Sequence, residues 1–173
     1  MQVRWLIPLG AAAASPVAFA TQYMSVQQAQ QEAFPAASEF RAVAASDAAV
    51  RAAIGAAPGW SPQIFEARAG EKTLGWFAVD QVIGKSEAIT YALALDAGGA
   101  VIALEVLDYR ESHGGEVRMP AWRKQFVGKT AADAAELNRE IKIISGATLS
   151  CRHLTEGVQR LLKLYSSTLK ASA

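Results

Sequence analysis

Ile89-Thr90-Tyr91-Ala92-Leu93-Ala94-Leu95-Asp96-Ala97-Gly98-Gly99-Ala100-Val101-Ile102-Ala103-Leu104-Glu105-Val106 decides the fold of this chain. Ile89, Tyr91, Leu93 and Leu95 alternate with Thr90, Ala92 and Ala94, the period-two pattern of a half-buried strand. Asp96-Ala97-Gly98-Gly99 is a turn signal, and Val101 to Tyr109 follows as a partner strand with Ile102, Leu104 and Val106 on one face. Upstream, Gln63–Ala67 and Thr73–Val79 read as two more strands, joined by the hairpin-like connection Ala69-Gly70-Glu71-Lys72. Downstream, Leu149, Leu154, Val158, Leu161, Leu162, Tyr165 and Leu169 recur at three- and four-residue steps and predict an amphipathic helix. Arg152, Glu156, Arg160 and Lys163 fall off that stripe, with Glu156 and Arg160 spaced as an i,i+4 ion pair. Helices, then antiparallel strands, then a helix make an α+β domain, an antiparallel sheet flanked by helices. No glycine fingerprint of a βαβ dinucleotide fold is present.

Residues 1–20 read as a signal peptide. Arg4 supplies a positive start, Trp5 to Leu9 and the following alanines an apolar stretch, and Ala18-Phe19-Ala20 a small-residue cleavage site. The stretch is short and broken by Pro8 and Pro16, whereas a spanning helix wants about 20 apolar residues. Cleavage and export to a periplasm are therefore expected, with retention as an anchor the alternative. Residues 21–60 are expected to be an N-terminal helical segment packed on the domain. Ser25 caps a first piece, Pro35 interrupts it, a second runs through Phe40 and Val43, and Ser46-Asp47 caps a third from Ala48 to Ile54. Residues 61–173 form the domain proper.

The chain has 173 residues and a net charge of +1, so it carries no electrostatic footprint for nucleic acid. Cys151 is the sole cysteine and His113 and His153 the two histidines. That composition offers no disulfide, no cysteine-based metal cage and no zinc or haem spacing. Cys151 shares a helical face with Leu154 and Val158 and reads as a small core residue.

Chemistry concentrates at Ser145-Gly146-Ala147-Thr148-Leu149-Ser150, placed between the β-branched run Ile141–Ile144, read as a short strand, and the last helix. Hydroxyls there are either plain N-caps or part of an anion site. The free backbone N–H groups and helix dipole at such a turn favour a phosphate, and Gly146 lets the backbone come close. Both readings fit the residues. A hydrolase built on Ser145 or Ser150 lacks a nucleophile elbow and an acid partner.

The stretch Ser145–Thr148 resembles the S/T-G-A-T motif of the FMN-binding domain family. That family includes the covalent-FMN subunits of sodium-translocating quinone reductases and Rnf-type complexes, and the periplasmic domain of a nitrous-oxide-reduction regulator. The resemblance extends to Gly84-Lys85-Ser86, Ile89–Ala92, Tyr109–Ser112, Gly115–Arg118, Trp122 and Gln125–Lys129, so it covers roughly Thr73 to Tyr165. It implies a single FMN-binding domain in which a flavin transferase attaches FMN to Thr148 through a phosphoester. Ser145, Gly146, Ala147, Leu149 and Ser150 would complete the motif. One departure stands out: the acid usual three positions before the motif is Lys142 here, and the nearest acid is Glu140.

The family comparison also places the loop Arg110–Lys129 beside the flavin. A flavin needs apolar walls, hydrogen bonds to its polar edge and positive potential. Met119 and Trp122 are the candidate ring contacts, with Trp122 equally readable as core, and Arg118 the candidate for the polar edge or phosphate. His153 either reaches the ribityl chain or phosphate, or is a partly buried structural histidine. The function so implied is electron transfer between redox partners, on the outer face of the inner membrane, with a quinone reductase, cytochrome or similar partner. The alternative is an exported adaptor that keeps the fold without the flavin.

Overall fold

In the computed structural model, residues 21–44 and 48–169 are described; the expected signal peptide and the Ser46-Asp47 cap lie outside them. The hairpin read from the sequence is the centre of the sheet: β5 (Ala88–Asp96) pairs antiparallel with β6 (Val101–Tyr109). Its turn is closed by Asp96, whose Oδ1 accepts the Ala100 N–H at 2.9 Å. Gly99 sits at φ +87°, and a Cβ there would come within 2.1 Å of the Tyr165 ring, so glycine is required twice over.

Among the described residues the sheet has six strands, in the order β1-β6-β5-β4-β3-β2. β2 (Glu39–Val43), β3 (Gln63–Ala69), β4 (Lys72–Ile83), β5 and β6 form an antiparallel meander, and β1 (Thr21–Gln22) adds to the free edge of β6. The helices are α1 (Val26–Ala33), α2 (Ala48–Ala53), α3 (Pro120–Arg123), α4 (Leu137–Glu140) and α5 (Thr148–Ser167). This is the α+β, antiparallel-sheet, single-domain class expected.

Several local expectations are corrected. The second helical piece, through Phe40 and Val43, is instead the edge strand β2. Pro35 stops α1, and Phe40 lies over Phe34 and Phe77 in edge-to-face contacts at 6.2 and 6.3 Å, so packing on the sheet outweighs local propensity. The Ile141–Ile144 run is not a strand. This run follows α4 as irregular chain, its Lys142 backbone bonded by Trp122 and Gln125 rather than by a strand. Ile102 does not share a face with Leu104 and Val106. The register shifts at Ala94/Leu95, where Leu95 faces Val101 and Ala94 faces Ala103. The extra residue turns Ile102 to the other face, as a bulge does.

Both faces of the sheet are covered. Trp76, Ala78, Val82, Ile89, Tyr91, Leu93, Leu104 and Val106 face α5 and form the larger core with Leu154, Val158, Leu161 and Leu162. Phe77, Val79, Ala67, Ala92 and Ala94 line the opposite face, under Ala29 of α1 and Phe34 just after it. The small residues there let α1 come close, and its start is capped by Ser25, whose Oγ accepts the Gln28 N–H at 3.1 Å. Each buried aliphatic of α5 contributes about 1.5–3 kcal/mol, far more than helix propensity does. Leu149, counted in the α5 stripe, is off it and 39% exposed. Glu156 and Arg160 do not pair either. Arg160 turns to Asp80 of β4, with Nη2 4.0 Å from Oδ2. Two buried carboxylates hold the sheet. Asp80 accepts from Trp60 Nε1 at 2.9 Å and Tyr91 Oη at 2.8 Å. Glu66 accepts from Thr73 Oγ1, Arg68 Nη1 and Arg41 Nη2 at 2.6, 2.9 and 2.5 Å.

Candidate functional site

The chain entering α5 is fixed from α3. Trp122 Nε1 donates to the Lys142 carbonyl at 2.8 Å, and Gln125 Oε1 accepts the Lys142 N–H at 2.9 Å. Ala147 N donates to Ile144 O at 3.0 Å, which closes a turn with Gly146 at φ +88°. Ala147 is the N-cap of α5, its carbonyl accepting from Cys151 N at 2.9 Å, and no side chain caps the helix. The plain capping reading of the hydroxyl cluster therefore fails. Ser145 and Thr148 are exposed, while Ser150 is buried and points inward. A 20-residue helix thus presents its first-turn N–H groups and the positive end of its dipole at the surface, beside the exposed Thr148 hydroxyl.

Ser150 joins this turn to the loop after β6. Its Oγ lies 3.0 Å from Tyr109 Oη, which donates to the His113 carbonyl at 2.5 Å. Gly114 passes over the pair at φ +84°, where a Cβ would be 2.8 Å from Tyr109 Oη and 3.0 Å from Ser150 Oγ. Burial pushes the Tyr109 phenol up, so it stays a proton donor at neutral pH.

Two open clefts flank Gly146. One, of about 620 Å³, is lined by Tyr23, Tyr109, Gly115, Glu116, Arg118 and Met119; the other, of about 660 Å³, by Lys85, Ser86, Arg110, Ala147, Leu149 and Ser150. Glu111, Ser112 and His113 form part of both. Arg118 lies over the Tyr23 ring at 4.0 Å, and its Nε donates to Gly115 O at 3.1 Å. Met119 is 52% exposed, an apolar surface beside a cation. Glu111 is tied down: its Oε1 accepts the Ser86 and Glu87 N–H groups at 2.5 and 2.8 Å. Burial raises its pKa, but those amides and the Lys85 charge outweigh burial and hold the carboxyl below the usual range.

Of the residues singled out in the sequence, Gly146, Ala147, Leu149, Ser150, Arg118 and Met119 line these clefts. Ser145 and Thr148 are exposed in the turn beside them. Trp122 does not line either cleft; it is buried, packed on Phe126 at 5.2 Å, and acts on the turn through Lys142. His153 is elsewhere: its Nδ1 lies 2.6 Å from Ile83 O and 2.9 Å from Gly84 O, in a different cleft with Trp60. Carbonyls only accept, so Nδ1 carries the proton. Tyr23 and the Tyr109–Ser150 pair were not found from the sequence. Tyr109 and Ser150 are 41 residues apart, and no spacing rule joins them.

Residues 84–163 match the model of the FMN-binding domain family. The chain is also 24% identical, over 154 residues, to a protein of Acetobacterium woodii that is one of the subunits of its Na(+)-translocating ferredoxin:NAD(+) oxidoreductase complex. The match covers 82% of this chain and 74% of that protein. Both agree with the resemblance read from the sequence. The matched segment runs from the end of β4 through most of α5 and contains every part of the two clefts except Tyr23.

Proposed function

We propose that this chain is an exported electron-transfer flavoprotein that carries FMN as a phosphoester on Thr148. The FMN-binding family match supports a flavoprotein, and the likeness to one component of a ferredoxin:NAD(+) oxidoreductase complex supports a role in electron transfer within a membrane redox assembly. Among the described residues no helix is long and apolar enough to cross a membrane. Attachment to such an assembly would run through the N-terminal segment or a partner. A flavin transferase supplies the FMN, and a quinone, cytochrome or membrane reductase exchanges its electrons.

The observation that carries the assignment is the exposed Thr148 at an uncapped helix start, next to two clefts with a cation and an apolar side chain. The residues present fit the group. Thr148 Oγ1 would carry the phosphoester, and the first-turn N–H groups beside the αL turn at Gly146 would face its phosphate. Arg118 offers positive charge and Met119 an apolar wall. Bound FMN supplies one- and two-electron transfer, which is the cofactor's own chemistry. What the protein contributes is position, burial and charge. Tyr109, Ser150 and Gly114 fix the loop against α5, and Trp122 and Gln125 fix the approach to the motif. His153 takes no part in this site.

One observation favours the second reading, a chain that keeps the fold without the flavin. Lys142 replaces the usual acid, and Glu140 is ion-paired with Lys129 rather than left free for a transferase-bound metal. In-gel flavin fluorescence after denaturation separates the two. Co-expressed with a transferase, the parent chain is fluorescent and Thr148→Val is dark with an unchanged melting temperature. A fluorescent Thr148→Val band would place the attachment elsewhere.

A further inference from the structure

A third open cleft, of about 810 Å³, lies away from the Thr148 turn, between the loop after α2, the end of β4 and the middle of α5. That volume is in the range of small-molecule sites. Pro58, Trp60, Val82 and Ile83 give it apolar walls, and Arg160 and His153, two turns apart on α5, also line it. Arg160 is three-quarters buried, with its side chain 25% exposed. Its one ion contact among the described residues, Asp80 Oδ2, is distant at 4.0 Å. Both oxygens of Asp80 are already taken by Trp60 and Tyr91. The Nε of Arg160 is buried and has no hydrogen-bond partner among the described residues. The exposed end of the side chain is the Nη pair, and a guanidinium there is suited to receive a carboxylate through charge-assisted hydrogen bonds. The indole of Trp60 flanks the guanidinium, 5.9 Å from it, and provides a flat apolar surface. The His153 ring is pinned through Nδ1, which leaves Nε2 as its remaining polar atom.

We infer that this cleft is a binding site for a small planar organic acid. The carboxylate takes the Arg160 Nη donors, the part of the side chain that stays exposed, and the ring lies along Trp60, Val82 and Ile83. A polar substituent on the ring meets His153. Among the described residues Glu156 is the one acid in the lining, and it stands on the same helix face as both. Its charge disfavours compact multiply charged anions, so the site selects a single carboxylate on an apolar body. This inference does not depend on flavin attachment, because this cleft shares no lining residue with the two beside Thr148.

The test uses the full flavin-free chain, labelled with 15N and titrated with benzoate, with inorganic phosphate as the comparison. Benzoate is expected to shift the Trp60 indole and Arg160 Nε–H signals saturably, and phosphate to leave them unmoved. Arg160→Gln should weaken benzoate binding at least ten-fold. Because Arg160 also neighbours Asp80, Ile83→Glu is the second variant. Ile83 is 58% exposed, so this change adds a negative charge to the cleft wall without disturbing the core, and it should weaken binding similarly. No saturable shift with benzoate, unchanged affinity in both variants, or equal shifts with phosphate would each overturn the inference.

Discussion

Replacing Gly157 with alanine is the sharpest test of how α5 meets the sheet. Gly→Ala inside a helix normally stabilises by about 1 kcal/mol, because glycine loses more backbone entropy on folding. Here a Cβ would sit 2.4 Å from Tyr91 Oη, 2.9 Å from its Cζ and 3.0 Å from Val82 Cγ1. Tyr91 has no room to retreat, since it is fully buried and held by Asp80 at 2.8 Å. Burial, with the Asp80 carboxylate next to it, keeps this phenol well above the usual tyrosine range, so it remains a donor. Overpacking costs about 1–3 kcal/mol and a strained bond to a charged acceptor about 1.5–3 kcal/mol. After the propensity gain is subtracted, Gly157→Ala should be about 1.5–5 kcal/mol less stable. Urea unfolding gives the answer directly, through a lower midpoint at unchanged slope. A variant as stable as the parent, or more so, would refute the close helix–sheet contact on which this fold rests.

Other perturbations follow from the same contacts. Tyr109→Phe leaves Ser150 Oγ buried without its partner and should cost about 1–3 kcal/mol in unfolding free energy, with lower flavin occupancy because the Gly114 loop loses its tie. Ser145→Ala and Thr148→Val should each change stability by less than about 0.5 kcal/mol, since both side chains are exposed and neither caps α5. For Glu66, burial alone would raise the pKa, but Thr73, Arg41 and Arg68 outweigh it and hold the folded value below the usual glutamate range. Its stabilisation is therefore full above the unfolded pKa of about 4.3 and is lost as pH falls through the lower folded value. Glu66→Gln should be about 2–3 kcal/mol less stable at pH 7, by loss of a buried charged partner, and the gap to the parent should narrow on acidification below about pH 4. Chemical unfolding at a series of pH values measures that gap.

The strands and the last helix were legible because their periodicity is strong and both strand and helix bury one continuous face. Errors fell where a long-range contact decides. Phe40–Val43 is helical by neighbours but strand by its pairing with β3, and Ile102 changes face at a bulge that no local pattern announces. The β-branched run at Ile141–Ile144 is held instead through Lys142, whose carbonyl and N–H are taken by Trp122 and Gln125. At the site, the hydroxyl turn was legible as a motif and as a helix start. What the sequence left open between cap and anion site the structure divides by residue: Ser150 turns inward to Tyr109, while Ser145 and Thr148 face out and cap nothing. Trp122 and His153 carry the right chemistry for a cofactor but are committed to Lys142 O and to the Ile83 and Gly84 carbonyls. Such partners 20 and 70 residues away are not visible in local spacing.

Attachment of FMN to Thr148 is the central claim, and the intact mass of the exported chain co-expressed with a flavin transferase tests it most directly. The account predicts an increase of one FMN less water, located on the peptide that contains Thr148. An unmodified mass on a well-folded chain would contradict it, and Lys142 in place of the acid would then mark a domain that keeps the fold and has given up the flavin.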